Sequence, residues 1–215
     1  MKLYLTLLSL LALLAGLSLA AQKNWELKKD QDGIRVFSRP TDNSRFNELK
    51  VEMTLSAKLS SLAALVLDID NYPNWSFNTE KSYVLKKISP SELYFYTLIN
   101  SPWPANDRDL AVHLSLAQDS NTHVLTLSAI EIANFIPEKK GVIRVPLSVE
   151  RWTVTPHPGG KISIRYELQL DPGASAPAWL LNTFSVKGPF ETFSHLREQI
   201  KKERYRNAVI PFIRD

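Results

Sequence analysis

Residues 161–170, KISIRYELQL, alternate without interruption. Ile162, Ile164, Tyr166, Leu168 and Leu170 fall on one face, and Lys161, Ser163, Arg165, Glu167 and Gln169 on the other. Side chains on a strand change face at every residue, so this pattern predicts a strand with one buried and one wet face. A sheet built from such strands is antiparallel, because parallel sheets are covered on both faces and read as continuous apolar runs. Segment 108–117 (RDLAVHLSLA) repeats the pattern with Leu110, Val112, Leu114 and Leu116. Segment 122–130 (THVLTLSAI) is rich in β-branched residues and alternates less cleanly. Asp119-Ser120-Asn121 forms a turn between these two, and Pro158-Gly159-Gly160 joins a strand near 149–156 to the one at 161–170. Earlier strands are predicted at 34–39, 47–55, 81–88 and 92–99.

Helical periodicity is confined to three places. Segment 57–68 carries Leu59, Leu62, Ala63, Val66 and Leu67 at helical spacing, with Ser56 as its expected N-cap. Segment 176–186 is a short candidate. From about 189 to 206, Phe190, Phe193, Leu196 and Ile200 form one apolar stripe. Pro189 suits the first helical position, and Lys201, Lys202, Arg204 and Arg206 crowd the end where positive charge suits the helix dipole. Consecutive strands, one helical insertion and a terminal amphipathic helix give an α+β chain rather than an alternating βαβ one. A long curved antiparallel sheet needs a cover for its apolar face, and the terminal helix supplies one. Such a closure leaves room for an interior apolar cavity.

The N-terminal 20 residues have the form of a secretory signal: Lys2, an apolar run from Leu3 to Leu19, and Ser18-Leu19-Ala20 as a small-x-small site. The rival interpretation is an uncleaved anchor at the lower limit of spanning length. An exported protein follows from the first, periplasmic in a Gram-negative cell. Loss of Lys2 lowers the net charge of +4 by one, which gives no case for nucleic acid. There are no cysteines, so a disulfide scaffold, a thiolate metal site, a Cys nucleophile and a Cys-anchored lipoprotein are excluded. The 44% hydrophobic content excludes a disordered chain. No repeat or linker divides residues 21–215, so one domain is expected over 22–206, with a C-terminal tail at 207–215.

Several segments resemble the START (steroidogenic-acute-regulatory-related lipid-transfer) domain family, in the right order. They are Trp25-Glu26-Leu27 with Asp32-Gly33-Ile34-Arg35-Val36-Phe37-Ser38-Arg39, and Asp68 through Tyr72-Pro73-Asn74-Trp75. Ser101-Pro102-Trp103-Pro104 with Asn106-Asp107-Arg108-Asp109 follows, then Gly141-Val142-Ile143-Arg144. The last are Asp171-Pro172-Gly173 and Pro177-Ala178-Trp179-Leu180-Leu181-Asn182. The resemblance spans about 22–206. It implies a helix-grip fold, a curved antiparallel sheet wrapped around a long C-terminal helix with a tunnel for one lipid. It also implies lipid binding or transfer without a cofactor, and transient contact with a membrane surface. A monomer is expected. Each methylene hidden from water is worth about 0.8 kcal/mol, so a lipid outside a bilayer needs a nearly complete apolar enclosure. In sterol-carrying members, the resemblance implies, a buried acid and base on neighbouring strands meet the ligand's polar end. Here Val112, His113 and Leu114 on one strand and Tyr94, Phe95 and Tyr96 on the other offer no such pair.

The candidate cavity residues are Tyr94, Tyr96, Arg108, Leu114, Arg144, Trp152, Tyr166 and Phe193. Each has a plainer alternative. Arg108 and Asp109 also suit a structural ion pair. Arg144 suits a phosphate head group or an ordinary structural role. The strand aromatics suit plain core packing. The basic residues Lys187, Arg197, Lys201, Lys202, Arg204 and Arg206 suit a solvated helix face or docking on anionic lipid. Residues His113, His123, His157 and His195 lack metal-ligand spacing, so no metal site is expected. No nucleophile-elbow, phosphate-loop or dinucleotide motif occurs. Two rival functions remain. One is a helix-grip enzyme of cyclase or hydrolase type, which would need a titratable group inside the cavity. The other is an interaction module with a filled core.

Overall fold

The structure, a computed structural model, describes residues 24–41, 46–173 and 183–215, with no account of the side chains of 183 and 184. The expected signal at 1–20 and most of the helix candidate at 176–186 lie outside the described residues.

Among the described residues, ten strands form one sheet. They are β1 (Glu26–Gln31), β2 (Ile34–Arg39), β3 (Glu48–Ser56), β4 (Thr79–Ser89), β5 (Glu92–Ile99), β6 (Arg108–Gln118), β7 (Leu125–Glu131), β8 (Ile143–Arg144), β9 (Leu147–His157) and β10 (Lys161–Asp171). Their order across the sheet is β1-β2-β3-β10-β9-β7-β6-β5-β4. Every pair on this path is antiparallel, whereas the short β8 runs parallel to the start of β6. The alternation of 161–170 orders the centre: Tyr166 pairs with Trp152 on one side and Val51 on the other. β1 escaped prediction because its residues are almost all exposed and polar, leaving no period to detect. It enters β2 through Asp32-Gly33, both at positive φ (52° and 72°), the backbone that a two-residue hairpin requires.

Two helical segments cross from β3 to β4. These are α1 (Leu59–Leu67) and a 3₁₀ segment over Ile69–Asn74. Ser56, the expected N-cap of α1, is instead the final residue of β3. The N-cap position is Lys58, with no side-chain cap bond. The first turn is satisfied from far along the chain. The Ser60 amide donates to Asp215 Oδ1 and its hydroxyl to Oδ2, both at 2.8 Å.

The terminal helix is in two pieces, not one. A π-helical turn over Thr183–Lys187 leads into α2 (Gly188–Gln199), and α3 (Glu203–Arg206) follows. Lys202 is extended (ψ 143°), so the α-helix stops there. The break lets Tyr205 turn back to α1, where its hydroxyl donates to Asp68 Oδ2 at 2.6 Å. α2 lies against the inner face of the sheet with Phe193 and Leu196 buried. Phe193 packs between Trp152 and Tyr166, with ring centroids 5.2 Å apart in each case. This is the helix-grip arrangement that the resemblance implies. Among the described residues no helix is long and apolar enough to cross a membrane.

Candidate functional site

A cavity of about 160 Å³ lies between α2, the 3₁₀ segment and the inner face of the sheet. Alternation decides which residues reach it. β6 contributes Leu110, Val112 and Leu114, and β10 contributes Tyr166, Leu168 and Leu170. β5 contributes Phe95, Thr97 and Ile99, while Tyr72, Trp75 and Phe77 close one side. Gly188, Pro189, Thr192 and Phe193 of α2 close another. Gly188 belongs there because a Cβ would stand 3.0 Å from the Phe77 ring.

Four of the eight candidate residues, Leu114, Trp152, Tyr166 and Phe193, line this cavity. The other four do not. Tyr94 and Tyr96 are even-numbered on a strand whose odd positions face inward, so they lie on the outer face. Tyr94 stacks between His113 and Phe135 at centroid distances of 4.7 Å. Arg144 also belongs to the outer face. Its Nε donates to Asp109 Oδ1 at 2.7 Å and its Nη2 to Oδ2 at 3.3 Å. The Tyr96 hydroxyl donates to the same carboxylate at 3.2 Å. The hydrogen bond to Asp109 raises the Arg144 pKa, and burial followed by the Asp109 charge raises that of Tyr96. Arg108 has the inward parity but sits at the end of β6, almost fully buried. It donates to Ser101 Oγ (3.1 Å), to the Asn106 carbonyl and to the Pro172 carbonyl (3.4 Å), joining two loops. Burial lowers its pKa. The expected ion pair between Arg108 and Asp109 is therefore replaced by Asp109–Arg144, since neighbours on a strand point to opposite faces.

The residue that sequence reasoning missed is Glu150. It lies on β9 in phase with Ser148 and Trp152, and all three line the cavity. Burial pushes its carboxyl up to about 7, against hydrogen bonding from Trp152 and Tyr166 that pulls it down. The same carboxyl, after burial, raises the Tyr166 and Tyr72 phenols well above their ordinary range. No Lys, Arg or His is among the described residues lining the cavity. Trp75 also lines it, and its buried Nε1 has no hydrogen-bond partner. A legible signal existed: an acid spaced two residues from Trp152 and four from Val154, on the face those residues bury. Among the described residues no group of three or more His, Cys, Asp or Glu side chains is placed to hold a metal ion.

Few polar contacts fasten α2. The Phe77 amide donates to Thr192 Oγ1 (3.0 Å), and Gln199 Nε2 to the Asn74 carbonyl (3.2 Å). The Lys29 ammonium stands 3.5 Å over the Phe190 ring. By contrast, α3 is held through Asp68 by both Tyr205 and Arg204, the latter at 3.3 Å.

The START domain sequence profile matches residues 7–206. An uncharacterised protein of Pseudomonas aeruginosa is 30% identical over 188 residues, covering 87% of this chain and 91% of that protein. The phosphatidylcholine transfer protein of Rattus norvegicus is 26% identical over 185 residues, 83% of each chain. A crystal structure of a STAR-related lipid transfer protein fragment from Xanthomonas axonopodis superposes with a TM-score of 0.76 at 28% identity. That match covers 83% of this chain and 99% of the fragment. With the profile spanning nearly the whole sequence and the curved sheet closed by α2, the chain belongs to the START domain family.

Proposed function

We propose that the protein binds one hydrophobic lipid in the inner-face cavity, without chemical change, and carries it between membranes. The observation that carries this is the lining: aromatic and aliphatic side chains from the sheet and α2 around a single acidic group. Family membership supports lipid binding in general. The rat and Xanthomonas relatives, by name transfer proteins for phosphatidylcholine and for lipid, support transfer as the outcome.

The cavity is about as large as one that admits a benzene ring. A whole acyl chain enters only if a wall moves. α2 is the helical wall of the cavity, and its break at Lys202 gives it a hinge above the anchored α3. Docking is served by Trp103, 92% exposed on the loop between β5 and β6, an amphipathic ring suited to a membrane interface. The exposed Lys202 and Arg206 carry positive charge that suits anionic lipid. The protein acts as a monomer after export, in the periplasm of a Gram-negative cell.

Native mass spectrometry of the mature protein, with solvent extraction and transfer assays between vesicles, tests the proposal. A stoichiometric lipid and vesicle-to-vesicle exchange are expected. A protein that neither retains nor takes up lipid would sink it. A second reading, an enzyme of the cyclase or hydrolase type, is favoured by one observation: a carboxyl near neutrality beside two phenols inside the cavity. It requires Glu150→Gln to abolish turnover while sparing binding.

A further inference from the structure

Glu150 is the one charged side chain among the described residues of an otherwise neutral cavity, and its neighbours settle which ligands it tolerates. Around it stand Trp152 and Ser148 from its own strand and Tyr166 from β10. Tyr72 from the 3₁₀ segment, Val66 from α1 and Ala129 from β7 complete the surroundings. Arg151, next in sequence, points to the exposed outer face. Among the described residues lining the cavity, no cation therefore reaches the carboxyl. We propose that Glu150 makes the cavity selective for a lipid whose polar end donates a hydrogen bond, a hydroxyl or an amine, and rejects one ending in a carboxylate. This rests on the lipid-binding reading and names the chemistry of its cargo.

The argument is one of complementarity. A buried acceptor left without a donor is costly, and a buried like-charge pair more so. Trp152 and Tyr166 stand beside Glu150 and pull its pKa down against the effect of burial. A carboxylate has four lone-pair sites, so capacity for the ligand remains. A hydroxyl or amine fills it. An amine also meets the ring faces of Trp152, Tyr166 and Tyr72, which attract cations. A ligand carboxylate is accepted only while Glu150 holds its proton. As pH rises through about 7, Glu150 loses that proton and the two anions repel. Discrimination against carboxylates is therefore weak in acid and strong in alkali.

Three single-chain amphiphiles of equal length test this: dodecanol, dodecylamine and dodecanoic acid. Trp75 and Trp152 line the cavity, so tryptophan fluorescence reports binding. At pH 8.5 the wild type should hold the alcohol and the amine roughly tenfold or more tightly than the acid. The gap should shrink at pH 5.5. Glu150→Gln, whose amide donates to a carboxylate, should remove most of the gap and its pH dependence. The pH series on the wild type stands even if that variant folds poorly, and Glu150→Leu gives a second comparison. Equal binding of all three at pH 8.5, or a Gln variant that discriminates as the wild type does, overturns the proposal while leaving the lipid-carrier reading intact. Failure of all three to bind at any pH overturns both.

Discussion

Asp109 and Glu150 are two carboxylates withdrawn from solvent to different degrees, and the chain treats them in opposite ways. Asp109, on the outer face, is 1% exposed and receives Arg144 twice and Tyr96 once. Glu150, half-buried on the inner face, stands among Trp152, Tyr166 and Tyr72, with no cation among the described residues lining the cavity. The first arrangement is closed: ion, counter-ion and hydroxyl satisfy each other, so nothing is left for a ligand. The second is unfinished. A protein that places an acid in an apolar cavity without a counter-charge bears a cost in stability, and a function can recover that cost through what it binds. The presence of a buried charge is thus less informative than the absence of its counter-charge.

The sharpest way to break the contrast is to open the closed site. Arg144→Met should cost about 3–5 kcal/mol, since Asp109 is left buried and unpaired. Urea denaturation at pH 7 reads this, and a loss under about 1 kcal/mol would refute it. Glu150→Gln should act with the opposite sign. The native state binds the Glu150 proton more tightly than the unfolded chain does, so wild-type stability declines as pH rises from the ordinary carboxyl value through about 7. The Gln variant lacks that decline. It should be more stable than wild type by up to about 3 kcal/mol at pH 8, with the difference vanishing near pH 4. Denaturation across pH 4–8 would show parallel curves if Glu150 were solvated.

The hydroxyls sharpen the comparison further. Tyr96→Phe removes one of three donors to Asp109 and should cost about 1–2 kcal/mol. Tyr166→Phe removes a hydroxyl that favours the ionised form of Glu150, so the Glu150 titration should move up. Carboxyl-carbon NMR would register the shift, and a downward movement would contradict the assignment. The smallest effect on stability belongs to Trp103→Ala, under about 0.5 kcal/mol, because the side chain is almost fully exposed. Its effect should appear in vesicle co-sedimentation, as a several-fold loss of binding to anionic vesicles.

Much of the fold was legible because strands with one wet face declare their period. Segments 92–99 and 161–170 coincide with β5 and β10 to within one residue. The site was harder to see. β5 reads ELYFYTLI, apolar on both faces, so its sequence gives no phase. The outer face of that strand is itself partly covered, with Phe135 stacked on Tyr94 and the Lys139 ammonium 3.9 Å from the Tyr96 ring. Tyr94 and Tyr96 were therefore assigned to the wrong side. On β9 the phase was clear from Trp152 and Val154, but a glutamate in that phase looks like an interruption rather than a lining residue. Arg108 and Arg144 were misjudged for a different reason. Arg144 pairs with a strand 35 residues away and Arg108 reaches the Pro172 carbonyl 64 residues away, which no local spacing encodes.

The bond between Ser60 and Asp215 bridges 155 residues, and it sets an order of events during synthesis. When α1 emerges from the ribosome its first turn has no cap, and β3 waits for β10, whose Ser163 meets Thr54 across 109 residues. Long-range pairings of this kind form late and slowly. The first three strands and α1 therefore spend most of translation with their apolar faces uncovered. Such a nascent chain is a natural client for a chaperone that shields hydrophobic surface until β10, α2 and Asp215 arrive together.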